Sequence, residues 1–137
     1  MSVEENKVLA RRVLEGMFNK GNLDVADELL APNYVDHDPA MPEDIHGPEG
    51  FQQYVGAYRS AFSDLHLQIE DQVAEGDKVV TRWTGAVTRD GELSGIPPTG
   101  NRGMPPGMEI VRISGGKVVE GWEGYDTMNL MRQLGVM

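Results

Sequence analysis

Helical periodicity fills the first half of this chain and strand alternation the second, and that order limits the folds open to it. Residues 3–19 place Val8, Leu9, Val13, Leu14, Met17 and Phe18 at helical spacing, and Asn19-Lys20-Gly21-Asn22 supplies a stop. Residues 23–30 predict a short second helix, with Asn22 as its cap and Pro32 beyond its end. Tyr34 to Pro39 is a short extended piece, and residues 40–48 form a loop rich in Pro, Gly and acidic side chains. A third helix is expected over 50–62, with Phe51, Tyr54, Val55, Tyr58 and Phe62 on or near one face.

The remainder is β. Residues 64–74 alternate, with Leu65, Leu67, Ile69 and Asp71 assigned to one face and His66 to solvent. Glu75-Gly76-Asp77 turns the chain into a strand over 78–87, on which Arg82 and Trp83 point oppositely. Arg89-Asp90-Gly91 signals another turn, and the prolines of Gly95-Ile96-Pro97-Pro98-Thr99-Gly100 break regular structure. The Pro- and Gly-rich residues 101–107 suggest a lid or bulge, and 108–113 and 117–125 form a hairpin around Ser114-Gly115-Gly116. An apolar helical segment closes the chain. Helices first and antiparallel strands afterwards imply one α+β domain over residues 1–137. The expected shape is a cone: a curved antiparallel sheet covered by the N-terminal helices, its mouth a ligand pocket.

A formal net charge of −10 argues against nucleic acid and anionic membranes as partners. There is no apolar run of transmembrane length and no signal-peptide pattern, which fits a cytoplasmic location. Without cysteine there is neither a thiol nucleophile nor a thiolate metal site. His37, Asp36, Asp38 and His46 carry metal-ligand chemistry, but their spacing matches no tight motif, so no metal is expected.

Counting alternate residues along the last strand puts Val118, Glu120, Trp122, Gly124 and Asp126 on one face. A carboxyl beside a large apolar ring at a strand end has its pKa raised and suits acid–base work. Asp126 is equally well placed to cap the final helix. His37 is either a pocket-edge donor to a carbonyl or a loop histidine paired with its flanking aspartates. Trp83, Trp122, Tyr34 and Met108 are expected to shape an apolar pocket, with core packing as the alternative for each.

These segments have a known counterpart. Residues 29–39, Gly47-Pro48-Glu49-Gly50-Phe51, Phe62-Ser63-Asp64-Leu65, Gly95 to Gly100 and the closing Gly-Lys-Val-Val-Glu-Gly-Trp stretch with Asp126 together resemble the SnoaL-like polyketide (ester) cyclases of the nuclear transport factor 2-like superfamily. The resemblance covers nearly the whole chain. It implies an α+β cone around a pocket, and an intramolecular aldol ring closure on an aromatic polyketide ester without metal or organic cofactor. It also implies a pocket aspartate as general acid/base, matched here to Asp126. The family's histidine on the preceding strand is missing, and Glu109 or Arg112 stands in that region. The superfamily also contains isomerases, dehydratases, epoxide hydrolases and non-catalytic members, so the fold leaves function open. The leading expectation is therefore a cofactor-independent acid/base enzyme acting on an apolar, carbonyl-containing small molecule. Asp126 is its acid/base, His37 its helper, and Glu109 a further candidate at the substrate. The alternatives are epoxide hydrolase-like water activation, with Glu109 or Arg112 beside Asp126, and a non-catalytic small-molecule-binding module. A sheet face of this size is expected to be covered in a homodimer.

Overall fold

A computed structural model describes residues 2–88 and 101–135. The expected turn at 89–91 and the break at 95–100 lie outside the described residues. Helix α1 (Val3–Leu14) starts from a reciprocal cap, in which Glu5 N–H donates to Ser2 Oγ at 3.1 Å and Ser2 N–H to Glu5 Oε1 at 3.3 Å. The helix does not run on to residue 19 as an α-helix. It widens into a π-helical turn (Glu15–Asn19) closed by Lys20 N–H donating to Glu15 O at 3.0 Å. That turn aims Asn19 at a strand: its amide donates to Leu67 O at 2.9 Å and accepts from Leu67 N–H at 2.7 Å.

Helix α2 (Val25–Leu29) begins later than its expected start and follows Asp24 rather than Asn22. The chain then enters β1 (Leu30–His37) directly, so Pro32 ends no helix. It sits where the pairing of β1 slips between Leu30 and Val35, a place that tolerates a residue with no N–H. After β2 (Ile45–His46), helix α3 (Gly47–Ala61) starts earlier than expected, with Pro48 in its first turn. Strands β3 (His66–Glu75), β4 (Lys78–Thr88), β5 (Arg102–Gly103), β6 (Pro106–Ser114) and β7 (Lys117–Tyr125) follow, then α4 (Thr127–Gln133). Residues 101–107 are thus partly strand, since β5 pairs with β4 through Val87 and Thr88.

The strands make one curled sheet in the order β2-β1-β7-β6-β4-β3, with β5 on β4. All pairs are antiparallel except β1 with β7, which run parallel and are joined through a long connection that holds α3 and five strands. The helices cover the concave face. Leu9, Val13, Leu14, Phe51 and Val55 meet Val79, Trp83, Val111 and Val118 in one core.

Two bulges decide which side chains enter that core. On β3, Ile69 pairs with Trp83 but Asp71 with Arg82, two steps against one. The extra residue flips the phase, so Leu67 faces in and Asp71 faces solvent, contrary to the single face expected for them. On β7, Ile113 pairs with Val118 but Arg112 with Glu120, and the extra residue is Val119. Val118 is buried, but beyond the bulge Gly121, Glu123 and Tyr125 point inward. Trp122, Gly124 and Asp126 are left on the outer face.

Candidate functional site

The inward side of β7 carries a buried acid and a phenol two residues apart, Glu123 and Tyr125. The strands beside it add more carboxyls. Glu109 of β6 pairs directly with Glu123, and Thr81 of β4 with Glu109. From β1 come Tyr34, Asp36 and, just past its end, Asp38, which are 3%, 2% and 6% exposed. Such burial forces these groups to partner one another. Tyr34 and Asp36 reach over β7 at Gly121, where a side chain's first carbon would come within 2.8 Å of Asp36 Oδ1 and 2.9 Å of Tyr34 Oη. Glycine is required there for space.

Asp36 accepts from Tyr34 and is hydrogen-bonded to Glu123. Asp36 Oδ2 and Glu123 Oε1 are fully buried and face no donor when both acids are ionised. Two buried carboxyls in contact favour holding one proton between them, which would supply the missing donor. Burial pushes the Glu123 carboxyl well above the usual carboxylate range, and the hydrogen bond and charge of Asp36 push it further. Burial also raises Asp36, against the lowering effect of its bonds to Glu123 and Tyr34. Glu109 is 8% exposed. Burial, then the charge of Asp36, push its carboxyl up to about 8. Asp38 accepts from Ala40 N–H at 2.8 Å and from Tyr54 Oη at 2.7 Å.

Beside Glu123 lies a cavity of about 50 Å³ walled by Tyr54, Tyr58, Phe62, Trp83 and Tyr125 with neighbouring aliphatic groups. Its enclosed part has room for a few waters, and the cavity is partly open to solvent. Its helical wall is the stripe Phe51, Tyr54, Tyr58 and Phe62, set by spacings of three and four along α3, with successive ring centroids 5.1–6.2 Å apart. Tyr58 Oη and Tyr125 Oη lie 2.7 Å apart. Gly107 gives Trp83 its place, because any side chain there would lie on the indole ring.

The residues expected at the site divide between two faces. Tyr34, Trp83 and Glu109 are interior. Met108 and Trp122, 54% and 36% exposed, are on the outer face and do not line the aromatic cavity; Met108 borders a shallow depression with Tyr125 and Asp126, and Trp122 one with His37 and Glu123. Asp126 is exposed and caps α4, accepting from Asn129 N–H at 3.1 Å. Trp122 and Asp126 share a face as expected, but the bulge at Val119 turns that face outward. His37 lies at the outer rim, bonded to Glu120 Oε2 at 2.8 Å and Asp44 Oδ1 at 3.0 Å and stacked on Trp122 at 5.6 Å. The hydrogen bonds to Glu120 and Asp44 raise its pKa. Arg112 binds Glu120 Oε1 at 3.2 Å on the same outer side, away from Asp126.

Glu123, Asp36, Asp38, Tyr54, Tyr58 and Tyr125 were not singled out from the sequence as site residues. The aromatic stripe of α3 and the alternative phase of β7, in which Glu123 and Tyr125 share a face, were the available signals. Among the described residues no group of three or more His, Asp or Glu is placed to hold a metal ion. No described helix is long and apolar enough to cross a membrane.

The profile of the family described as SnoaL-like polyketide cyclase matches residues 8–134. The nogalonic acid methyl ester cyclase of Streptomyces nogalater is 35% identical over 121 residues, spanning 86% of this chain and 89% of that protein. The aklanonic acid methyl ester cyclase DnrD of Streptomyces peucetius is 32% identical over 133 residues, spanning 93% and 88%. Among solved structures, TsrD from Streptomyces laurentii superposes with a TM-score of 0.87 at 31% identity, covering 100% of this chain and 99% of that one. IdmH from Streptomyces antibioticus gives 0.83 at 30%, covering 96% and 99%.

Proposed function

Since the chain belongs to the SnoaL-like polyketide cyclase family, we propose that it closes a ring in a polyketide-derived ester by proton transfer between substrate and an interior carboxyl, with no cofactor. The observation that carries this reading is the Asp36–Glu123 pair, two buried carboxyls side by side at the wall of an aromatic cavity. Two carboxyls whose environments push their pKa values apart can take a proton and give one back. The carbon next to a substrate carbonyl loses its proton to Glu123 as the proton already held by the pair settles on Asp36. The resulting enolate carbon attacks a second carbonyl. The new alkoxide takes a proton back, and the pair returns to its starting state. Atoms balance: the product is an isomer of the substrate, and no oxidant or reductant is consumed.

The names of the two cyclases support a methyl ester as the substrate class. The test uses aklanonic and nogalonic acid methyl esters, following ring closure by chromatography and exchange of the α-proton in D2O by NMR. Glu123→Gln is expected to slow both by about a hundredfold or more, while Asp126→Asn stays near the wild-type rate. Loss of turnover in Asp126→Asn with Glu123→Gln active would return the acid/base role to Asp126. Equal activity in both variants would remove carboxyl catalysis altogether.

A second reading concerns assembly. Val73, Val80, Ile110 and Trp122 lie in register across four strands on the outer face, with Met108 in the next row. Val73 is 62% and Ile110 39% exposed. A connected apolar stripe on an open sheet face favours a homodimer.

A further inference from the structure

The proton-transfer reading leaves one requirement without a residue. An enolate forms only if something holds its oxygen as charge develops there. Cations do not serve, because the groups facing Glu123 from β1, β4 and β6 are Tyr34, Asp36, Thr81 and Glu109. The cavity does contain hydroxyl donors. Tyr58 descends from α3 and Tyr125 rises from the end of β7, and their oxygens meet at 2.7 Å at the cavity wall. Two phenols in contact own two protons, and the contact between them uses one. Tyr54, edge-on to Tyr58 at 5.1 Å, commits its own proton to Asp38 Oδ2. The second proton of the Tyr58–Tyr125 pair meets no carboxylate or carbonyl acceptor among the hydrogen bonds of the described residues; only the hydroxyls of Thr127 and Tyr54 stand beside the pair.

We propose that Tyr125, its hydroxyl polarised by Tyr58, donates that proton in a hydrogen bond to the substrate's carbonyl oxygen and holds it as the enolate forms. This rests on the proton-transfer reading above. Tyr125 is two residues from Glu123 on the same strand face, roughly 7 Å along the strand. Both groups line the same cavity, so a substrate carbonyl and its neighbouring C–H can face them together. The rings are braced before any ligand arrives: Tyr58 meets Tyr125 edge-on at 6.4 Å, and Trp83 packs on Tyr125 at 6.3 Å. A fixed donor needs no reorganisation during the reaction, and a hydroxyl that already accepts a hydrogen bond donates a stronger one. Burial raises both phenols above their ordinary range, so they remain protonated donors and exchange no proton with substrate.

The experiment uses 1-tetralone, an aryl ketone with one enolisable position, bound to the whole protein. Difference infrared reads its carbonyl stretch, and NMR in D2O reads exchange of its α-protons. In the wild type the stretch is expected at lower frequency than in an apolar solvent. Tyr125→Phe should return it to the apolar-solvent value and slow exchange by about 10²–10³-fold. Tyr58→Phe should weaken both effects partially. Glu123→Gln should slow exchange yet keep the carbonyl shift, which separates failure of the base assignment from failure of this one. Replacing Tyr125 with 3-fluorotyrosine keeps the ring and hydroxyl and should retain the shift, so loss in Tyr125→Phe cannot be blamed on packing. An unshifted carbonyl in the wild type, no binding of the ketone, or a shift that survives in both phenylalanine variants overturns the proposal.

Discussion

Glu109 is a carboxylic acid placed where ionising it is costly. It lies between Thr81 and Glu123 in a row across the inner sheet face, and burial with the nearby Asp36 charge pushes it up to about 8. In the unfolded chain the same group titrates near its ordinary 4.5. The native state therefore holds the proton more tightly. The stabilisation is complete below about 4.5 and is lost as the pH climbs through about 8. Glu109→Gln removes that dependence. The melting temperature of the wild type is expected to fall relative to the variant between these limits, as measured by calorimetry at stepped pH. Parallel curves would show that Glu109 holds no extra proton in the folded state. His37, raised by its bonds to Glu120 and Asp44, contributes with the same sign in both proteins and so cancels from the comparison.

At the level of the element, β7 organises the site, and its glycines have opposite jobs on its two faces. Gly121 lies under Asp36 Oδ1 and Tyr34 Oη, at 2.8 and 2.9 Å from where a methyl would sit, whereas Gly124 faces open space. Gly121→Ala is expected to cost about 1–3 kcal/mol and to displace the Asp36 carboxyl from Glu123, lowering ring-closure activity. Gly124→Ala should fall within about 0.5 kcal/mol of wild type. Denaturant melts and turnover of the two variants check this, and equal tolerance would mean that the Asp36–Glu123 contact does not depend on Gly121. The same strand shows how local pattern and register part company. Alternation correctly made residues 117–125 a strand, but one extra residue at Val119 exchanged the two sets of side chains.

Over the whole molecule, the helices close the concave side of the sheet and leave the convex side open, with Ile110 and Trp122 at its centre. Charged pairs flank the apolar row, Asp71 beside Arg82 and Arg112 beside Glu120, so a two-fold copy finds both signs at the rim. The chain is expected to elute as a dimer by light scattering at micromolar concentration. Ile110→Lys, which sets an unpaired charge in the row, should give a folded monomer. A wild type that is monomeric at the highest soluble concentration would leave this face without a second copy.

The sequence alone determined the kinds and order of the elements, because periods of 3.6 and 2 are written in local spacing: Leu9, Val13 and Leu14 for α1, the aromatic stripe for α3, Ser114-Gly115-Gly116 for the last hairpin. It also brought out the family, whose segments are spread along the chain, and it marked Tyr34, Trp83 and Glu109 as candidates that the fold carries inside. Only the tertiary structure decided which carboxyl meets the cavity. Counting from Val118 led to Trp122 and Asp126, and a bulge set by pairing with Arg112 and Ile113 replaced them with Glu123 and Tyr125. The contacts of Asp36 with Glu123 and of Tyr58 with Tyr125 join residues far apart in the chain. Strand register and burial arise from partners, and no local spacing encodes them.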